Sequence, residues 1–142
     1  MTRPAVCVVD ASVAVEYVVQ LPRTAQATGL FRRLQDPDPV ELWAPDLLYL
    51  EVASVLRKLV HRKSISAGAG ERALGQLSRL PIRISGTAAL LPGIWKLRAR
   101  VTPYDAAYLC LARELDATLV TGDERLAKAA GRRFRVQTLA DL

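Results

Sequence analysis

The sequence predicts an α/β fold, a three-layer sandwich in which helices flank a central parallel sheet of about four to five strands. Short apolar runs rich in β-branched residues alternate along the chain with longer segments of helical period, which is the pattern of a parallel sheet with helical crossovers. The chain has 142 residues, of which 51% are hydrophobic, and this suits one continuous core. We therefore assign residues 1–142 to a single domain.

The first half of the chain is predicted to hold two strands and four helices. A breaker at 36–39 ends the second helix, Asp46 caps the long helix that follows Pro45, and Ser66 caps the next one. In order, the elements are a strand at 5–9, helices at 12–20 and 24–35, a strand at 41–44, a helix at 46–62 and a helix that carries 71–80.

The second half is predicted to complete the sheet with three more strands. Thr102 and Pro103 open a helix with a cap residue and a proline in its first turn, and Gly122 lies in the turn before a short helix. In order, the elements are a weak strand at 81–85, a helix at 88–100, the helix after Thr102, a strand at 117–121, the short helix and an edge strand at 134–137.

Composition narrows the class of protein. The formal net charge is +6 and the pI is near 9.8, which favours a polyanionic partner. No stretch approaches the roughly 20 uncharged apolar residues that a membrane span needs. The two cysteines, Cys7 and Cys110, lie in apolar segments, which is typical of core residues in a reducing compartment. We expect a soluble, cytoplasmic protein that is not associated with a membrane.

Four acids are placed where they can meet. Asp10 and Asp123 each follow a strand of buried character, and ligands of an open parallel sheet bind beyond the carboxyl ends of its strands. Glu51 falls inside the apolar stripe of its helix, and Asp105 lies in the first turn of a helix that is apolar on most sides. Converging carboxylates repel unless cations neutralise them, and an all-oxygen ligand set suits Mg²⁺ or Mn²⁺. This chemistry predicts metal-dependent hydrolysis of phosphodiesters.

Other interpretations of the same residues stay open at this point. Asp10 and Asp123 could be helix N-caps, Asp105 could belong to a capping arrangement headed by Thr102, and Glu51 could pair with a basic residue. A Mg²⁺-dependent phosphatase of the haloacid dehalogenase type ranks lower, because it needs a second Asp two residues after the first and Ser12 stands there. A non-catalytic RNA-binding or partner-binding domain is the alternative from a different class.

Four segments resemble the PIN-domain family, and most closely its VapC-type toxins. They are VVDAS at 8–12, EVASVLRK at 51–58, TPYDAAY at 102–108 and LVTGDERL at 119–126, and together they span most of the chain in the right order. The resemblance implies that Asp10, Glu51, Asp105 and Asp123 are the catalytic, metal-binding acids and that Ser12 and Thr121 support them.

The resemblance also implies an activity and partners. It implies a magnesium- or manganese-dependent endoribonuclease with a PIN-like sheet, an RNA substrate, a homodimer, and a cognate antitoxin protein that blocks the site. Several basic groups could line a path for RNA phosphates, among them Arg98 and Arg100, although scattered charges are more often a solvated face.

Overall fold

Five parallel strands form one sheet in the computed structural model, which describes residues 4–19, 24–33 and 39–142. The strands lie in the order β3-β2-β1-β4-β5, and every adjacent pair is parallel. Their bounds are β1 (Ala5–Val9), β2 (Val40–Pro45), β3 (Ile82–Ser85), β4 (Thr118–Thr121) and β5 (Val136–Thr138). The predicted parallel sheet is confirmed, with five strands where four to five were expected.

The strand order reverses between β1 and β4. The chain builds outward from β1 through β2 to β3, then returns to place β4 on the other side of β1. Val8 is therefore registered with Trp43 of β2 on one side and with Leu119 of β4 on the other. In such sheets the carboxyl ends on either side of the reversal border a crevice that binds ligands.

Helices cover both faces of the sheet. Successive side chains of a strand point to opposite faces, so Val8 belongs to the larger core cluster and Val9 to the smaller one. The larger cluster includes the fully buried stretch 106–112. The helices are α1 (Ala11–Val19), α2 (Thr24–Arg32), α3 (Leu48–His61), α4 (Ala67–Leu77), α5 (Leu91–Lys96), α6 (Pro103–Glu114) and α7 (Glu124–Ala130). The predicted three-layer sandwich is confirmed.

The predicted boundaries hold to within a few residues, with two exceptions. Asp46 does not cap α3, because the helix begins one residue later, with Leu47 at the cap position and no side-chain bond there; the Asp46 N–H continues the sheet by donating to the Ser85 carbonyl at 2.9 Å. The single helix expected over 88–100 is a 3₁₀ turn followed by the shorter α5, which carries Pro92 in its first turn.

Parts of three predicted elements lie outside the described residues. They are the last residue of the 12–20 helix, the final two residues of the 24–35 helix and most of the 36–39 breaker. Within the described ranges, no helix is both long and apolar enough to cross a membrane. Cys110 is buried and Cys7 partly so, and neither forms a disulfide, in agreement with their predicted place in the core.

Candidate active site

Asp10 lies directly beyond β1, and only 6% of the residue is exposed. Both of its carboxylate oxygens accept hydrogen bonds. The Ser12 hydroxyl donates to Oδ1 at 2.5 Å, the Val13 N–H donates to the same oxygen at 3.3 Å, and the Thr121 hydroxyl donates to Oδ2. These bonds fix the carboxylate in one orientation at the sheet edge.

The two hydroxyls also join the turn after β4 to the start of α1. The Gly122 N–H donates to Ser12 Oγ at 2.7 Å, and the Asp123 N–H donates to Thr121 Oγ1 at 3.0 Å. A Cβ atom at Gly122 would lie 3.1 Å from Ser12 Oγ, so the glycine allows this close approach. Ser12 and Thr121 thus touch the acid that they were predicted to support.

Burial makes ionisation of Asp10 unfavourable. Loss of solvent raises the pKa of Asp10 from 3.8 to about 6, although the bonds from Ser12, Thr121 and Val13 oppose this rise. The negative charge of Glu51 contributes to this raised pKa. A carboxylate in these surroundings is stabilised by any cation that binds beside it.

Glu51 occupies the first turn of α3, and its Oε1 atom is buried without a hydrogen-bond partner. The neighbouring Tyr108 hydroxyl is also buried, and no hydrogen bond of ordinary geometry satisfies it. Burial raises the pKa of Glu51, the nearby Tyr108 hydroxyl lowers it, and Asp105 raises it. None of the ion pairs between described residues includes Glu51, so the basic-partner alternative finds no support there.

Asp105 and Asp123 complete the acidic edge. The Thr102 hydroxyl accepts the Asp105 N–H at 3.2 Å and starts α6, which sets Asp105 in the first turn. Burial raises the pKa of Asp105, the Asp123 charge raises it again, and Arg125 and Thr102 lower it. Arg125 also lies 3.8 Å from Asp123 Oδ2 in an exposed ion pair.

Helix capping and a shared site coexist here. Asp123 Oδ1 accepts the N–H groups of Arg125 and Leu126 at 2.9 and 3.1 Å, so it caps α7 as the alternative interpretation predicted. Asp10 likewise accepts the Val13 N–H in the first turn of α1. Capping of α7 uses Oδ1 of Asp123, whereas Oδ2 faces Arg125.

The four predicted acids form an electrostatic series along the crevice. Glu51 raises the pKa of Asp10, Asp105 raises that of Glu51, and Asp123 raises that of Asp105. Yet no three or more His, Cys, Asp or Glu side chains within the described ranges are grouped so that they could hold one metal ion. The crevice thus concentrates negative charge, and the role of each acid as a metal ligand stays a prediction.

Two residues of the site, Tyr108 and Arg125, were not predicted from the sequence. Tyr108 lies about one helical turn beyond Asp105, and this spacing, which places the two side chains on one side of the helix, was a usable signal. Arg125 follows the Asp123 cap by two residues, and only the folded chain reveals its influence on Asp105.

The chain is similar to known proteins in sequence and in fold. The family model for the PIN domain matches residues 7–132. Ribonuclease VapC1 of Mycobacterium tuberculosis is 39% identical over 129 residues, which cover 88% of this chain and 91% of that protein.

Two solved structures share the fold at low sequence identity. PAE2754 from Pyrobaculum aerophilum has a TM-score of 0.70 at 19% identity, covering 96% of this chain and 90% of that one. VapBC2 from Rickettsia felis, solved bound to a DNA fragment from its promoter, has a TM-score of 0.68 at 13% identity and covers 94% of this chain and 98% of that one. With its parallel sheet, its acidic crevice and a family match over most of its length, the chain belongs to the PIN-domain family.

Proposed function

We propose that this chain is a divalent-metal-dependent endoribonuclease that acts as the toxin of a toxin–antitoxin pair. The observation that carries the proposal is the crevice beyond β1 and β4, where Asp10 is buried and oriented by two hydroxyls and Glu51 presents an unpartnered oxygen. The relative named a VapC ribonuclease supports RNA as the substrate. The positive net charge of the chain is consistent with a polyanionic substrate.

The residues present fit a hard divalent cation. A buried carboxylate oxygen without a partner is costly, and a cation would satisfy Oε1 of Glu51 directly. The donor set contains carboxylates and hydroxyls and no sulfur or imidazole, which suits Mg²⁺ or Mn²⁺. Because Mg²⁺ usually keeps several waters, it needs few direct carboxylate ligands in such a crevice. Asp10, Glu51, Asp105 and Asp123 would hold the metal, either directly or through water.

The reaction is hydrolysis of a phosphodiester. The oxygen of water bonds to phosphorus, the bond to the leaving oxygen breaks, and the leaving oxygen takes up a proton. A divalent cation, when bound, supplies an activated water and neutralises charge on the phosphate.

The protein's part in this reaction is to orient and to accept protons. Ser12 and Thr121 hold Asp10 in one orientation, so its position is set before substrate arrives. Burial raises the pKa of Glu51, which makes this carboxylate a better proton acceptor than an exposed one.

Besides RNA, we propose an antitoxin protein as a partner. The VapBC2 structure, which was solved bound to promoter DNA and shares the fold of this chain, supports this proposal. We further propose that the chain works in the cytoplasm, where both free cysteines would stay reduced, and that it forms a homodimer. Co-expression with a candidate antitoxin, followed by co-purification, tests the proposed antitoxin partner.

Cleavage of labelled RNA tests the activity. Purified protein is incubated with end-labelled structured and single-stranded RNAs in Mg²⁺, in Mn²⁺ and with chelator, beside Asp10→Asn and Asp105→Asn. Asp116→Asn is the matched control, because Asp116 precedes β4 at the opposite edge of the sheet and is exposed. Its positive φ of 50° is one that asparagine tolerates.

We expect cleavage that requires metal and falls at least about a hundredfold in both site variants but not in the control. If Asp10→Asn and Asp105→Asn cleave RNA as fast as the wild type does, these acids have no part in the mechanism. Absence of cleavage under every condition would favour the non-catalytic binding domain.

A further inference from the structure

An open cleft of about 450 Å³ borders the acidic crevice at the start of α6. Its lining includes Arg98, Arg100 and Arg125, together with Asp105 from the crevice itself. Three arginines and one aspartate therefore line this cleft, and Asp105 is shared with the proposed catalytic site. Such an excess of positive charge distinguishes this cleft from the acidic crevice beside it.

Two of the arginines are held in place by contacts that leave donors available. The Arg98 guanidinium stacks over the Trp95 ring, 4.9 Å from its centroid, and its Nη1 donates to the Trp95 carbonyl at 3.0 Å. Arg100 Nη2 donates to the Ala129 carbonyl at 2.9 Å. A guanidinium carries five N–H donors, so each arginine keeps further donors after making these bonds.

The backbone makes room for Arg100. Gly131 has φ +66°, and a Cβ atom there would lie 2.9 Å from Arg100 Nη2. The glycine therefore allows the guanidinium to bridge from the segment before α6 to the end of α7. An arginine that is already ordered loses less conformational entropy when it binds an anion. This is a built feature, unlike the freely solvated charges that were the alternative interpretation of the basic groups.

Arg125 links the cleft to the acids. Its side chain is 89% exposed and its contact with Asp123 is long at 3.8 Å, so the ion pair leaves the guanidinium free to meet another anion. Arginine suits phosphate recognition because its planar fork can donate two parallel hydrogen bonds to phosphate oxygens.

The geometry points to this cleft as the site that binds backbone phosphates of the RNA strand next to the scissile bond, through Arg98, Arg100 and Arg125. The inference rests on the proposed ribonuclease function and deepens it, because it assigns the side of the crevice along which the substrate runs. Trp95 is 68% exposed, and its role here is to hold Arg98 by stacking.

Binding of RNA without cleavage tests the cleft separately from the activity. Fluorescence anisotropy of a labelled single-stranded 12-mer RNA is measured in EDTA over a series of salt concentrations, for the wild type, Arg98→Gln, Arg125→Gln and the double variant. Arg79→Gln is the matched control, because this exposed arginine lies just before β3, at the amino ends of the strands and away from the crevice. It removes the same charge from the same chain.

We expect each single cleft variant to bind RNA about three- to fivefold more weakly than wild type does. The plot of log affinity against log salt should become shallower by about 0.7 in slope for each single variant and by about 1.4 for the double variant. Arg79→Gln should leave the slope unchanged. Equal slopes in the cleft and control variants would overturn the inference.

Two further outcomes separate this inference from its alternatives. If wild type binds RNA with the expected slope but cuts none in Mg²⁺ or Mn²⁺, the proposed function fails and the phosphate site stands. If light scattering shows that the cleft variants change a dimer into a monomer while RNA binding stays as in wild type, the cleft is a subunit interface and the inference fails.

Discussion

Replacement of Asp10 by asparagine should stabilise the metal-free protein at neutral pH while it abolishes activity. Burial raises the pKa of Asp10 from 3.8 to about 6 in the folded chain, and this displacement corresponds to about 3 kcal/mol. Since the folded-state pKa is raised, the protonated carboxyl stabilises the fold at low pH. That stabilisation is lost as pH rises from about 4 through about 6, so this carboxyl lowers the free energy of unfolding of the wild type most above that range.

Asparagine removes this pH dependence at a cost in hydrogen bonding. Ser12 and Thr121 both donate to the wild-type carboxylate, and an amide offers only one acceptor oxygen to the two hydroxyls. The lost charge-assisted bond costs about 1 to 2 kcal/mol. We therefore expect the variant to be more stable than wild type by about 1 to 2 kcal/mol at pH 7.5, and less stable by about 1 kcal/mol at pH 4.

Urea denaturation in EDTA from pH 4 to pH 8 measures the effect. The difference in free energy of unfolding between Asp10→Asn and wild type should rise by about 2.5 kcal/mol across this range and level off above pH 7, a swing of roughly 8 °C in Tm. Asp116→Asn is the control, because it removes an exposed carboxylate that pairs with Arg135 away from the crevice. A difference that is the same at pH 4 and pH 8 would refute the burial argument.

Three other perturbations test the same site. Mn²⁺ at a hundredfold excess over its Kd should raise stability by about 2.7 kcal/mol at pH 7.5, and calorimetry should find this gain much reduced at pH 5, where Asp10 keeps its proton. Tyr108→Phe removes a hydroxyl that lowers the pKa of Glu51, so titration calorimetry at pH 6 should show weaker Mn²⁺ binding. The free energy of unfolding in urea should change by less than about 1 kcal/mol. Unchanged Mn²⁺ binding would contradict the proposed contact between Tyr108 and Glu51. Thr102→Ala removes the cap of α6 and should cost about 1 kcal/mol in urea denaturation, with Thr102→Ser retaining most of the wild-type stability.

Elements that depend on neighbouring residues were predicted well from the sequence. The strand at 5–9 was placed correctly because a run of β-branched and apolar residues needs no distant partner to be recognised. The Ser66 and Thr102 caps were also correct, since each hydroxyl bonds to an N–H three residues along the chain. The predicted Asp46 cap was wrong, because pairing with β3 carries the extended chain through Asp46 and the helix cap falls at Leu47.

The positions of the acids followed from the sequence, and their surroundings did not. Asp10 and Asp123 were selected because each follows a strand and parallel strands finish at one edge of a sheet. Glu51 was selected because it lies in an apolar helix stripe, and Asp105 because it lies in the first turn of an apolar helix. The sequence alone thus determined the fold class and the positive net charge, and it predicted the acidic set. These properties follow from local pattern and composition.

Only the tertiary structure decided which groups meet. The strand order places β4 beside β1, and this brings the Thr121 hydroxyl onto Asp10. Packing of α3 against its neighbours leaves Glu51 with a buried, unpartnered oxygen, and the bridge from Arg100 to Ala129 helps to shape the basic cleft. Such contacts join residues far apart in the chain, so they depend on how the helices and strands pack as a whole and leave no periodic signal in the sequence.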